Sequence, residues 1–237
     1  FEDAIERILG VRPEVIPGTE EADLSFLGAT SIVRRDVEAP YLVVDLGGGS
    51  TELVLGGDGV TKPVTQVQAA FSMNIGSVRM TERHRRNDPP TEAQIDEAIQ
   101  DIDEHIDEAF RTVPAGKART IIGVSGTVTT MTALSMGLTE YDHSVVDGAR
   151  CTLEDAFAVD DRFLRMPREE RLTYKTIHPG RVDVVGGGAL VWSRVLARVS
   201  EAAQADHGQA IDSFMASAHG LLDGIVLDYG PRLLASR

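Results

Sequence analysis

The chain has 237 residues and a net charge of −14, from 37 acidic against 23 basic side chains. That balance excludes an overall basic footprint for DNA or RNA, so a polyanionic ligand has to be met locally, by arginines, cations and backbone N–H groups. No apolar run approaches the roughly 20 residues that cross a bilayer, and the single cysteine, Cys151, leaves no internal disulfide; a cytoplasmic protein with no membrane partner is the expectation.

In chain order, FEDAIERILG reads as an amphipathic helix with Ile5, Ile8 and Leu9 on one face and Gly10 as its stop. It begins without a methionine, so the natural protein is expected to continue upstream. VRPEVIP (11–17) reads as a short strand. Residues 19–33 read as a helix with Ala22, Leu24, Leu27 and Ile32 turned partly inward. YLVVDLGGGSTELVLG (41–56) predicts a hairpin, PVTQVQAAF (63–71) a third strand, and residues 75–86 a helix. Thr91 and Gln94 form a capping box, followed by Ile95, Ile99, Ile102, Ile106 and Phe110 at helical spacing. The many acids of that helix read as a solvated face. RTIIGVSGTVTTMTALSMGL reads as strand, turn and helix, and residues 152–164 as a helix. HPGRVDVVGGGALVWSRVLARVSEAA predicts a turn and a long helix, and AIDSFMASAHGLLDGIVLDYG a strand, a small-residue turn and a final helix. Strands alternating with helices after an opening hairpin make an α/β layered domain.

Three segments are suited to chemistry. In VVDLGGGST, glycines let backbone N–H groups approach an oxyanion that any Cβ would hold off, and they allow the positive φ of an anion-binding nest. Ser50 and Thr51 add hydroxyls, and Asp45 and Glu52 flank the turn where a divalent cation can sit. A plain glycine-rich hairpin fits the same residues. In GVSGTVTT, a strand runs through Ser125, Gly126 and Thr127 into a helix N-terminus, which suits either an anion or a simple cap. In GRVDVVGGGAL, the triplet Gly186–Gly188 costs about 1 kcal/mol per residue inside a helix. It calls for close approach by a ligand or by a neighbouring helix.

The order of these segments resembles a lobe of the actin and sugar-kinase superfamily. More closely, the chain resembles the Ppx/GppA phosphatases (exopolyphosphatases and guanosine pentaphosphate phosphohydrolases). The resemblance rests on GTEEADLSFLGA (18–29), VVDLGGGSTELVLG (43–56), NIGSVRMTER (74–83), GVSGT (123–127), GRVDVVGGGAL (180–190) and ASAHGLLDGI (216–225). It implies a ribonuclease H-like lobe with a mixed sheet and flanking helices. It implies release of terminal phosphate from inorganic polyphosphate, or of the 5′ phosphate from guanosine pentaphosphate, with Mg2+ or Mn2+ as cofactor. On their own, Glu20 and Glu21 read as favourable acids at a helix N-terminus. The resemblance makes Glu21 the general base, Asp45 and Glu52 the metal-associated acids, and Gly47, Gly48, Gly49 and Ser50 a phosphate loop. Ser125, Gly126, Thr127 and Arg181 join the phosphate-binding set. Arg79 and Arg181 are secondary candidates for phosphate or guanosine contacts, with surface ion pairing the preferred reading of either.

The chain departs from that family in lacking the facing phosphate loop of the first lobe, about a hundred residues by comparison. Residues 1–34 are accordingly expected to be a remnant of that lobe and the hinge, and residues 35–237 the second lobe. Ile5, Ile8, Leu24 and Leu27 are then expected to be uncovered, and the fragment inactive alone. A phosphotransferase of the same superfamily, or a non-catalytic sensor of guanosine tetra- or pentaphosphate, are the alternatives. The oligomeric state stays open between monomer and homodimer.

Overall fold

The structure is a computed structural model that describes residues 1–33 and 37–235, the side chains of residues 233–235 aside. The boundary expected between residues 34 and 35 therefore lies outside the described residues. Strands β1 (Tyr41–Leu46), β2 (Thr51–Gly56) and β3 (Val67–Met73) form an antiparallel meander. On its other edge β1 pairs in parallel with β4 (Thr120–Val124), and β4 in parallel with the strand Ser213–Ala216, which we number β6. The short β5 (Arg150–Thr152) closes that edge antiparallel to β6, giving the order β3-β2-β1-β4-β6-β5. An antiparallel meander continued by parallel strands is the mixed α/β sheet expected of a ribonuclease H-like lobe.

The alternation in β1 sorts its side chains onto two faces. Leu42, Val44 and Leu46 enter the larger core. There they meet residues of α4 (Glu92–Thr112), α5 (Ser125–Ser135), α7 (Leu153–Arg165) and α9 (Val185–His207). Tyr41 and Val43 face the other way, with Phe26 and Ala29 of α2 (Gly18–Thr30). Helices thus cover both faces, which is why the interior strands are almost continuously apolar. Among the described residues no helix is long and apolar enough to cross a membrane.

Several expectations change. VRPEVIP forms no strand; Pro13 and Pro17 remove ladder donors. β3 starts at Val67, four residues later than the start expected at Pro63. The short elements β5, α6 (His143–Val146) and α8 (Arg168–Arg171) have no counterpart in the sequence reading. The acids of α4 are not simply solvated: Asp101 accepts from Arg83 at 2.6 Å, Asp103 from Arg194 at 2.7 Å, and Asp107 from Arg198. Its capping box is present as expected. Helix α1 (Glu2–Leu9) ends at Gly10 with φ 70° and buries no residue, leaving Ile8 79% exposed. Leu24, by contrast, is buried, because α2 lies against α10 (Leu221–Ala235).

That crossing depends on missing side chains. A Cβ on Gly28 would overlap the Gly220 carbonyl, and one on Gly224 the Leu24 carbonyl. Backbone cannot yield as a flexible side chain can, so Gly224→Ala must part the two helices. We expect a loss of about 1–3 kcal/mol, the usual cost of overpacking, read as a lower urea midpoint. Substitution of Gly230, beside which a Cβ meets open space, serves as the control.

Candidate active site

The glycine loop after β1 is held by the next helix. Gly47 N–H donates to Ser50 O at 2.9 Å and closes the turn. The Gly47 carbonyl accepts from Ser77 N–H at 3.0 Å and from Ser77 Oγ at 3.3 Å. The Gly48 carbonyl accepts from Val78 N–H at 2.9 Å and Arg79 N–H at 3.0 Å. These donors begin α3 (Ser77–His84), whose first-turn N–H groups have no partner within the helix. With its carbonyls turned to α3, the loop presents N–H groups of Gly48, Gly49 and Ser50 that have no acceptor among the described residues. Docking this close requires Gly76, where a Cβ would stand 2.6 Å from both the carbon and the oxygen of the Gly48 carbonyl. Gly76 and Ser77 are functional positions the sequence reading gave no role; the glycine directly before the helix was the available signal.

The second wall comes from the β4–α5 turn. Ser125 adopts φ 80°, a left-handed conformation that costs a non-glycine residue about 1–2 kcal/mol. Its Oγ donates to the Leu46 carbonyl at 2.7 Å and ties this turn to the end of β1. The Arg181 guanidinium lies directly over Gly126, where any Cβ would overlap it. Gly47, Gly48, Ser77, Ser125, Gly126, Thr127 and Arg181 thereby share one cavity of about 190 Å3. Gly49 and Ser50 belong to the same loop but do not line that cavity; the Arg79 guanidinium covers Gly49.

The ion-pair reading of Arg79 and Arg181 is not met. Among the described residues neither has a carboxylate within 4.0 Å, whereas Arg83, Arg171, Arg194 and Arg198 all do. Thr51 is also corrected: its buried hydroxyl donates to Ile75 O at 2.8 Å and is turned away from the loop. The glycine triplet of α9 serves helix packing. Cβ atoms there would meet Arg85 at Gly186, Thr81 at Gly187, and Thr127 with Ser77 at Gly188. Gly126→Ala should dislodge Arg181 with little effect on stability, since the displaced group is an exposed, flexible side chain. The expected result is at least a tenfold loss of inorganic phosphate affinity by calorimetry, hydrogen bonds to charged groups being the strong ones.

Three carboxylates gather on the α2 face of the sheet. Asp45 and Glu52 are directly opposite in the β1–β2 ladder. Ser25 of α2 donates to Asp45 at 3.4 Å, and Glu21 stands one helical turn before Ser25. Burial, then repulsion from Glu52 and from Glu21, push the Asp45 carboxyl up to about 6, with the Ser25 bond acting the other way. Glu20 is differently employed: it accepts from the Tyr229 hydroxyl of α10 at 3.2 Å. The structure therefore separates the two adjacent acids, one toward Asp45 and one toward α10. Among the described residues no three acid, histidine or cysteine side chains stand close enough to form a metal cage by themselves.

Asp45 holds its proton more tightly folded than unfolded. Relative to low pH, stability is therefore lost as pH rises from about 4, the unfolded value, through about 6. In the presence of a chelator, Asp45→Asn should remove that slope and raise stability at pH 7 by about 3 kcal/mol, measured by urea unfolding at a series of pH values.

Residues 1–228 match the Ppx/GppA phosphatase family. The chain is 42% identical over 218 residues to exopolyphosphatase 2 of Mycobacterium tuberculosis, covering 92% of this chain and 64% of that protein. It is 31% identical over 128 residues to the guanosine-5′-triphosphate,3′-diphosphate pyrophosphatase of Aeromonas hydrophila, covering 54% of this chain and 24% of that one. Among solved structures, an exopolyphosphatase-like protein superposes with a TM-score of 0.94 at 83% identity, covering 98% of this chain and 73% of its own. A PPX-GPPA enzyme of Aquifex aeolicus gives 0.78 at 28% identity, covering 96% and 69%. The sequence thus spans 64% of the length of the exopolyphosphatase and 73% and 69% of the two solved structures, with both glycine turns and the carboxylates inside the region matched by the family, and the chain belongs to the Ppx/GppA phosphatase family.

Proposed function

We propose that the natural protein carrying this chain is a phosphohydrolase that releases the terminal phosphate of inorganic polyphosphate or the 5′ phosphate of guanosine pentaphosphate. The observation that carries the reading is the convergence of two turns on one cavity. The loop at Gly47–Ser50 and the turn at Ser125–Thr127 meet there under an arginine with no carboxylate partner among the described residues. Three acids stand beside the strand that feeds it. Family membership and the relatives named above support the same chemistry.

In this reading the Gly48 N–H and the Arg181 guanidinium, both in the cavity lining, hold the phosphoryl oxygens, and the Gly49 N–H and the Ser50 hydroxyl of the same loop are proposed donors outside that lining. Positioning and electrostatics carry most of the barrier reduction in phosphoryl transfer. Glu21, exposed at the mouth of α2, takes the proton of the attacking water. Mg2+, or Mn2+ in its place, fits the residues present. Such ions use oxygen ligands and are held by one or two carboxylates together with substrate phosphates. Asp45 and Glu52 supply two, and the raised Asp45 value marks a place where added positive charge is favourable. Once bound, the cation neutralises charge on the phosphoryl oxygens. Residues 1–34 are read as the hinge end of a first lobe and 35–237 as the second lobe. A cytoplasmic setting follows from the substrates proposed.

Glu21→Gln keeps the shape of the side chain and removes its basicity. In the natural protein it should lower turnover about a hundredfold or more, with the unfolding midpoint unchanged. Phosphate release within twofold of the parent would remove Glu21 from the mechanism. Glu20→Gln is the comparison and should leave turnover within a few-fold.

A further inference from the structure

His219 stands in the turn between β6 and α10 and has no role in the reading above. Its Nδ1 lies 2.8 Å from Asp223 of α10, and its Nε2 lies 3.1 Å from Asp147, the residue that ends α6. Each acid also holds the backbone of the turn. Asp147 accepts from Ala218 N–H at 2.9 Å, and Asp223 from Gly220 N–H at 3.0 Å. An ionised carboxylate only accepts hydrogen bonds, and a neutral imidazole carries one N–H. A neutral ring would therefore set its bare nitrogen against one of the two acids, whereas the imidazolium donates to both. The Asp223 bond, with Asp147 adding to it against partial burial, holds the ring's proton above the ordinary histidine range. The same ring is the main reason the Asp223 carboxyl lies below its usual value.

The neighbouring elements offer little else that titrates. His143 of α6 meets the ring edge-on, with centroids 6.2 Å apart. Helix α5 packs on both α6 and β6 and carries no titratable side chain. Arg150, the one charged residue of β5, lines a separate pocket with Glu38 and Asp212. From α2, the residue that meets the turn is Gly28.

That last contact links the ring to the proposed base. A Cβ on Gly28 would overlap the carbonyl of Gly220, the residue after His219, and one on Gly224 would overlap the carbonyl of Leu24. Leu24 lies three residues after Glu21 on the same helix. Helix α2 thus rests, with no side chain between, on the backbone that the histidine and its two acids hold in place. Loss of the ring proton removes one of the two donors and leaves the acids facing each other with no cation between them, which loosens the start of α10 from α6.

Resting on the phosphohydrolase reading for its effect on turnover, we propose that His219 is a positioning residue: its imidazolium is a proton-dependent latch that ties the start of α10 to α6 and, through the α10–α2 contact, holds Glu21 in place beside Asp45. The ring binds its proton more tightly folded than unfolded. The latch is therefore complete below about 6.5, the unfolded value, and is lost as pH rises through the higher folded one.

The natural protein carrying this chain, followed by ring NMR, amide exchange and phosphate release from polyphosphate, tests the latch. The His219 ring should titrate above the ordinary histidine value, and Asp147→Asn and Asp223→Asn should each lower it. His219→Ala should reduce kcat about tenfold or more, since a 1 Å misplacement can cost about a hundredfold, while KM stays within twofold. Exchange protection of the α2 amides should fall in the same variant. His219→Arg keeps a permanent cation with donors for both acids. It should restore kcat and α2 protection, and remove the loss of both that the parent shows as pH rises through the His219 titration. A parent ring that titrates at or below the ordinary value would overturn the proposal. So would unchanged α2 protection or unchanged kcat in His219→Ala, or a His219→Arg variant whose α2 protection still follows the parent's pH dependence. If His219→Ala does not fold, that last comparison decides. A parent that releases no phosphate would instead sink the proposed function, and the ring titration and α2 protection would still decide the latch.

Discussion

The site depends on where the carbonyls of the glycine loop point. Three successive N–H groups at the start of α3 take the carbonyls of Gly47 and Gly48. Two problems are solved together: the orphan donors of a helix end find acceptors, and the loop is fixed with its own N–H groups outward. A loop of the same glycines without that helix would retain the conformational freedom that makes glycine costly to order. Pre-organisation of this kind lets backbone dipoles act on a phosphoryl group without reorganising during the reaction.

Around this fixed point the charges are sorted. Most of the described arginines lie against carboxylates: Arg194 on Asp103, Arg83 on Asp101, and the fully buried Arg171 on Asp88. Those pairings neutralise charge on the helical flank. Arg79 and Arg181 are left over glycines, where no side chain intervenes between guanidinium and backbone. Local positive potential in a strongly acidic protein arises from this segregation and not from net charge. The acids are sorted too. Asp45, Glu52 and Glu21 repel one another on the α2 face, a cost that folding pays and that a cation would offset.

The α2–α10 crossing follows the same logic of missing atoms. Gly28 and Gly224 let α2 come into backbone contact with α10 and with Gly220 just before it, and Tyr229 of α10 reaches back to Glu20. The catalytic candidate Glu21 is therefore carried on a helix whose position is set by a second helix from the far end of the chain. Movement at that crossing would move Glu21 relative to Asp45, since Asp45 is fixed in a central strand.

The sequence by itself determined the elements with strong local signals. The α4 capping box, the hairpin around the glycines and the β4–α5 turn all lie where periodicity and turn chemistry placed them, because those preferences act within a few residues. The motifs also carry the family, and Gly47, Gly48, Ser125, Gly126, Thr127 and Arg181, all legible in those motifs, share one cavity. Tertiary structure alone decided the rest. Which arginines pair, whether the α9 triplet meets a ligand or a helix, and which of Glu20 and Glu21 faces Asp45 depend on partners dozens to two hundred residues away. Thr51 and Ser50 are adjacent and chemically alike. Only the pleat, which sends one hydroxyl into the core against Ile75 and leaves the other at the loop, tells them apart.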